Sequence, residues 1–105
     1  MFLKYDEHEL LELFGSEPSY IPCEESGICM YATEDIKGVK IVMVLSTYEN
    51  NCQISLGLQD VEIFDVSLSD VEYLRLESGG LRIHQTNSKK DYMIYFKPNL
   101  FIKIE

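Results

Sequence analysis

Basic residues are scarce in this 105-residue chain: nine Lys and Arg stand against 18 Asp and Glu, for a formal net charge of -9. A field of that sign repels nucleic acid and anionic membrane surfaces, so neither is expected as a direct partner. There is no apolar run long enough to span a bilayer, and Met1-Phe2-Leu3-Lys4 is not a secretory signal. The expected location is therefore cytoplasmic. In that reducing compartment the odd set Cys23, Cys29 and Cys52 is expected to be free thiols, with a Cys23–Cys29 bridge as the lesser alternative.

The signatures of common chemistries are also missing. The sequence contains no GxSxG, no phosphate-binding glycine loop and no dinucleotide fingerprint. The C-x5-C spacing of Cys23 and Cys29 is not the short spacing of zinc ligands, and no second pair completes four ligands. Glu24/Glu25 and Asp60/Glu62/Asp65 do not follow the twelve-residue calcium-loop pattern. A small hydrolase built on His8 and His84, with Lys40 or Lys90 for a phosphate, needs both rings at one cleft. Surface histidines are the commoner explanation, and the acidity opposes an RNA substrate. No enzyme activity, cofactor or metal is expected.

What the chain does have is a strand pattern. One domain over residues 1–105 is expected, of the α+β class and mostly β: a short N-terminal helix, then an antiparallel meander of about seven strands forming a twisted sheet or a small sandwich. Asp6 is a good N-cap with Glu9 at the capping-box spacing; Leu10, Leu11 and Phe14 make the apolar stripe, and Gly15 is the stop. Ser16–Tyr20 is a linker, followed by an irregular strand near Ile28–Tyr31. Val39–Leu45 is apolar at both parities, which predicts a central strand buried on both sides, one of them under the helix. Cys52–Leu58 alternates cleanly. In Val61–Leu68 the apolar phase slips between Ile63 and Phe64, and Val71–Glu77 slips likewise, which predicts bulges or a twist between two sheets. Ser78-Gly79-Gly80 and Pro98-Asn99 are the turns of the last hairpins.

The acidity is uneven. Residues 1–36 hold nine acids and one base, and residues 49–72 hold six acids and no base, whereas residues 73–105 hold six bases and three acids. One reading is a solvated face. The sharper one is a surface complementary to a cationic protein, formed by Glu24, Glu25, Glu34, Asp35, Asp60, Glu62, Asp65, Asp70 and Glu72. Tyr31, Tyr48 and Tyr73 would be its buried anchors, since tyrosine gives contact area at low entropic cost. A self-associating module pairing through an exposed strand edge is the alternative.

Leu13-Phe14-Gly15 after the helix, the Pro18 linker and Ser69-Asp70-Val71-Glu72-Tyr73-Leu74-Arg75-Leu76 give the chain a pattern that resembles the small immunity proteins of bacterial polymorphic-toxin and contact-dependent inhibition systems. The absence of tryptophan departs from several strand-rich groups of that kind. The resemblance implies an acidic cytoplasmic antidote that binds a cognate toxin and blocks its active or docking surface. Many such toxins are basic nucleases.

Overall fold

The computed structural model describes residues 3–15, 17–20, 27–77, 79–86, 88–96 and 100–104; the predicted site residues Glu24 and Glu25, Cys23 and the Pro98-Asn99 turn lie outside them. The chain folds as one helix and nine strands among the described residues: α1 (Glu7–Phe14), β1 (Ser19–Tyr20), β2 (Ile28–Glu34), β3 (Val39–Ser46), β4 (Asn51–Leu58), β5 (Val61–Leu68), β6 (Val71–Glu77), β7 (Gly80–Gln85), β8 (Tyr92–Tyr95) and β9 (Phe101–Ile104). Strands β1 to β5 form one antiparallel sheet in chain order, and β6 to β9 form a second. Of the two expected arrangements, the protein is the sandwich.

Two residues, Ser69 and Asp70, carry the chain from one sheet to the other. Asp70 takes a left-handed conformation there, and its carbonyl accepts the Thr86 N–H, which fixes the corner. Both predicted phase slips are register shifts. Leu56 pairs with Phe64 and Gly57 with Glu62, which leaves Ile63 as the extra residue. Val71 pairs with Gln85 and Tyr73 with His84, which leaves out Glu72. A bulge reverses the side-chain parity, so β6 keeps Val71 and Leu74 buried on either side of its bulge, whereas in β5 Val61 and Ile63 are exposed and Leu68, beyond the bulge, is buried.

Asp6 caps α1 by accepting the His8 N–H at 2.8 Å, and Gly15 ends it with a bond to the Leu11 carbonyl. Glu9 departs from the capping-box expectation: its carboxylate accepts the Leu76 N–H at 3.1 Å and so ties the helix to β6. The helix does not cover β3. It packs against β2 and β6, and Phe14 meets Tyr31 of β2 and Phe96, just past β8, at ring-centroid distances of 5.3 and 5.1 Å. The helix thus closes one open side between the sheets.

The core runs between the sheets. Ile41, Met43 and Leu45 of β3, Cys52 and Ile54 of β4, and Leu81, Ile83 and Ile94 of the second sheet are all fully buried. Burial pushes the Cys52 thiol up to about 12 and raises that of Cys29, so both stay protonated as small core residues. The other face of β3 is different from the expectation: Val42 and Val44 are only half-buried and Lys40 is exposed. Ser16–Tyr20 is not wholly a linker either, since Ser19 and Tyr20 pair with Met30 and Cys29. In the Gly79-Gly80 turn only Gly79 uses positive φ, at 82°; Gly80 is in β7, where a Cβ would lie 2.7 Å from the Ile94 carbonyl. No helix among the described residues is long and apolar enough to cross a membrane.

Candidate partner-binding surface

Strand alternation places the outward residues of the five-stranded sheet in rows. Antiparallel pairing aligns Glu34, Lys40, Gly57 and Glu62 in one row, Ala32, Val42, Ser55 and Asp65 in the next, and Met30, Val44, Gln53 and Ser67 in a third. The face therefore has a half-buried aliphatic strip, Met30, Val42 and Val44, flanked by carboxylates at its outer strands. Two open grooves cross it. One, about 400 Å³, is lined by Glu34, Lys40, Val42, Gly57, Asp60 and Glu62 among others. The second, about 320 Å³, lies toward the other end of the strands, beside Val44, Glu49, Gln53 and Ser67.

The carboxylates here are held in different ways. Gln59 and Asp60 make the two-residue turn between β4 and β5, both with positive φ (52° and 66°), the twist that suits a tight hairpin. Asp65 accepts from Gln53 Nε2 at 3.3 Å and Ser55 Oγ at 3.2 Å, which orients it along the face. Glu34 and Glu62 are exposed in their strands. A cationic side chain laid along Val42 would keep its stem on the aliphatic strip and meet carboxylates with its head.

The structure thus brings together Glu34, Asp60, Glu62 and Asp65, and it separates the other predicted residues from them. Tyr31 is 2% exposed and packs on Phe14, so it is a core residue and offers no surface to a partner. Asp35 is a structural clamp. Its carboxylate accepts the Lys37 and Val39 N–H groups at 2.9 Å each across the β2–β3 turn, and the Leu100 N–H at 3.0 Å from the far end of the chain. Tyr48 is 58% exposed but follows the opposite end of β3. Asp70 is at the sheet corner.

Glu72 and Tyr73 belong to a polar network on the outer face of the second sheet. His84 stacks on Tyr73 (5.0 Å between centroids), bonds Asp91 at 2.7 Å and lies 3.5 Å from Glu72. Arg82 bridges Asp91 at 2.8 Å and Glu77 at 3.1 Å, and Arg75 lies over the Tyr73 ring at 4.5 Å. Burial alone would raise the Asp91 carboxyl, but the bonds from His84 and Arg82 outweigh it and hold it below the ordinary range. His8, beside Glu7, Glu17 and Pro18 on the helix, shares none of these neighbours, so the two histidines are not brought to one cleft. Among the described residues no group of three or more His, Cys, Asp or Glu is placed to hold a metal.

The Asp35 clamp has a pH signature. The Leu100 N–H, then those of Val39 and Lys37, hold its carboxyl below the usual range against some desolvation. A depressed carboxylate contributes stability that is full above its unfolded pKa, about 3.9, and is lost as pH falls through the folded value. Asp35→Asn is therefore expected to lower the thermal midpoint by several degrees at pH 7. The gap should narrow below about pH 4, where the wild-type carboxyl also protonates. Thermal melts of the two proteins from pH 7 to 2 measure this; a gap constant with pH would refute the clamp.

No protein-family model matches the sequence, and no curated protein matches it. A solved structure is similar over the entire length: one chain of a contact-dependent growth inhibition toxin–immunity protein complex from Klebsiella pneumoniae 342, with a TM-score of 0.84, 23% identity, and coverage of 100% of this chain and 98% of that one. At that identity the likeness establishes the fold, and the two-sheet architecture described above is shared with a protein of that complex.

Proposed function

We propose that the chain is an immunity protein, a non-enzymatic acidic binder that neutralises a cognate basic toxin by covering its active or docking surface. The observation that carries this is the end-to-end fold likeness to a chain of a toxin–immunity complex. The charge decides which side of such a complex it occupies: at -9 it suits the antidote of a basic protein better than an enzyme acting on nucleic acid. The separation of His8 from His84 weighs the same way. Glu34, Asp60, Glu62 and Asp65 steer and pair with Lys and Arg of the toxin, while Met30, Val42 and Val44 supply apolar contact. Function in the cytoplasm, where an incoming toxin would act, fits this role.

The test is co-expression in bacteria with the toxin domain encoded beside this chain's gene. Growth should be restored by the chain, and the two proteins should co-purify as a complex with no loss of the toxin's covalent integrity. Growth arrest despite a well-expressed, folded chain would sink the reading.

A further inference from the structure

The edges of the two sheets are not treated alike. The free side of β6 is covered by the N-terminal segment: Lys4 donates to the Glu72 carbonyl at 3.1 Å and accepts the Leu74 N–H at 2.9 Å, forming a parallel bridge. The free side of β2 carries β1. Strand β5 spans eight residues with β4 on one side, and among the described residues no strand lies on its other side. An uncovered edge presents unpaired backbone N–H and C=O groups, and proteins usually shield it with charged side chains (lysine above all), proline, bulges or brevity. The β5 bulge at Ile63 leaves Phe64–Leu68 regular. Strand β5 has no lysine or proline. It also exposes large apolar side chains: Val61 (62%), Ile63 (56%) and Phe64 (37%).

Charge identifies the occupant. The turn and strand carry Asp60, Glu62 and Asp65 and no base. A second copy pairing antiparallel along β5 would bring carboxylates against carboxylates, on top of two net charges of -9, and like charges across a strand pair are destabilising. The bulge at Ile63 further interrupts a long self-match. A basic segment meets none of these obstacles. Because side chains alternate along a strand, a segment with basic and apolar residues in alternation would set its bases beside Asp65 and Ser67 on the outer face. Its apolar residues would fall beside Phe64 and Val66 on the other. We propose that the Phe64–Leu68 edge, which is in regular register beyond the bulge, receives an extended basic segment of the protein partner as a sixth strand. This rests on the inhibitor reading for the partner's identity and extends it to a binding mode. The acids thereby act as a filter, open to a cationic strand and closed to another copy.

The probe is a capped synthetic peptide of alternating lysine and valine, added to the full chain and followed by amide hydrogen exchange and titration. Binding should slow exchange at β5 amides. Affinity should fall by about tenfold or more in Asp65→Lys/Ser67→Lys, two exposed outward positions within that edge whose replacement leaves the core intact. The same peptide N-methylated at alternate amides keeps its charge and apolar content but cannot pair, and it should leave β5 unprotected. Equal binding of the methylated peptide, or binding without protection of β5, overturns the proposal. So does a chain that is dimeric alone with β5 already protected. The toxin co-expression test is read separately. Toxin inhibition with β5 unprotected in the complex overturns strand addition and leaves the inhibitor standing. Protection of β5 by the peptide, with no toxin inhibited, supports strand addition and overturns the inhibitor.

Discussion

Reversing Glu34, Glu62 and Asp65 to lysine is expected to slow association with a basic partner by about 10–100-fold at low ionic strength. The three side chains share the outer face of the five-stranded sheet, on rows set by the β2–β3–β4–β5 register. Three reversals of two charges each take the formal net charge from -9 to -3, and all of that change falls on one surface. Steering acts on encounter, so the association rate should carry most of the effect and dissociation less. The wild-type rate should fall steeply with salt, because the Debye length shrinks from about 30 Å at 0.01 M to about 8 Å at 0.15 M, while the variant's rate should be nearly flat. Stopped-flow mixing with the proposed toxin partner, purified, over a salt series measures both. An unchanged rate in a folded variant would mean that these carboxylates only solvate the face. The same reversal placed on Glu72 should do less, since that carboxylate is beside His84 on the other sheet.

The contrast between those acids shows what a sequence reveals about a surface. Alternation and the two phase slips, at Ile63–Phe64 and at Tyr73–Leu74, are enough to expect strands, bulges and a helix with a defined start and stop, because each depends on residues close in sequence. The second bulge is in fact one step earlier, at Glu72. The outward placement of Glu62 and Asp65 follows from the same periodicity. Asp35 is another matter. Its third bond goes to Leu100, 65 positions away, and nothing local distinguishes it from its neighbour Glu34, which is exposed. Tyr31 is inward because it shares parity with Cys29; tyrosine among acids suggests an interface anchor for its contact area at low entropic cost, but its ring belongs to the core. The Gln59-Asp60 turn had no local marker, since neither residue is the glycine or asparagine that usually signals two positive φ angles in succession. Tertiary pairing, not local preference, holds it there. The uncovered β5 edge was likewise illegible, because which strand ends a sheet depends on the crossing at Ser69-Asp70.

Leu45→Ala should be among the most destabilising single changes in the molecule, at about 2–5 kcal/mol. Leu45 is fully buried in β3, paired across the sheet with Cys29 and Cys52, and it faces the second sheet. Truncation removes transfer free energy and leaves a cavity that two packed sheets cannot readily close. Against a typical total of about 5–15 kcal/mol this is a large share, and it corresponds to a fall of about 10 °C or more in the thermal midpoint of a domain this size. Val42→Ala, three positions earlier on the same strand, is the matched comparison. Val42 faces the open groove and is half-buried, so its truncation should cost well under half as much. Denaturant titrations of both variants give the two differences directly; equal losses would mean that both faces of β3 are covered. The same pair separates folding from binding. Leu45→Ala should lower stability while sparing affinity for the proposed partner in whatever fraction remains folded, since its side chain never reaches the surface. Val42→Ala should leave the fold nearly as stable and weaken binding, because the aliphatic strip between the acidic rows is what a cationic side chain would lie along.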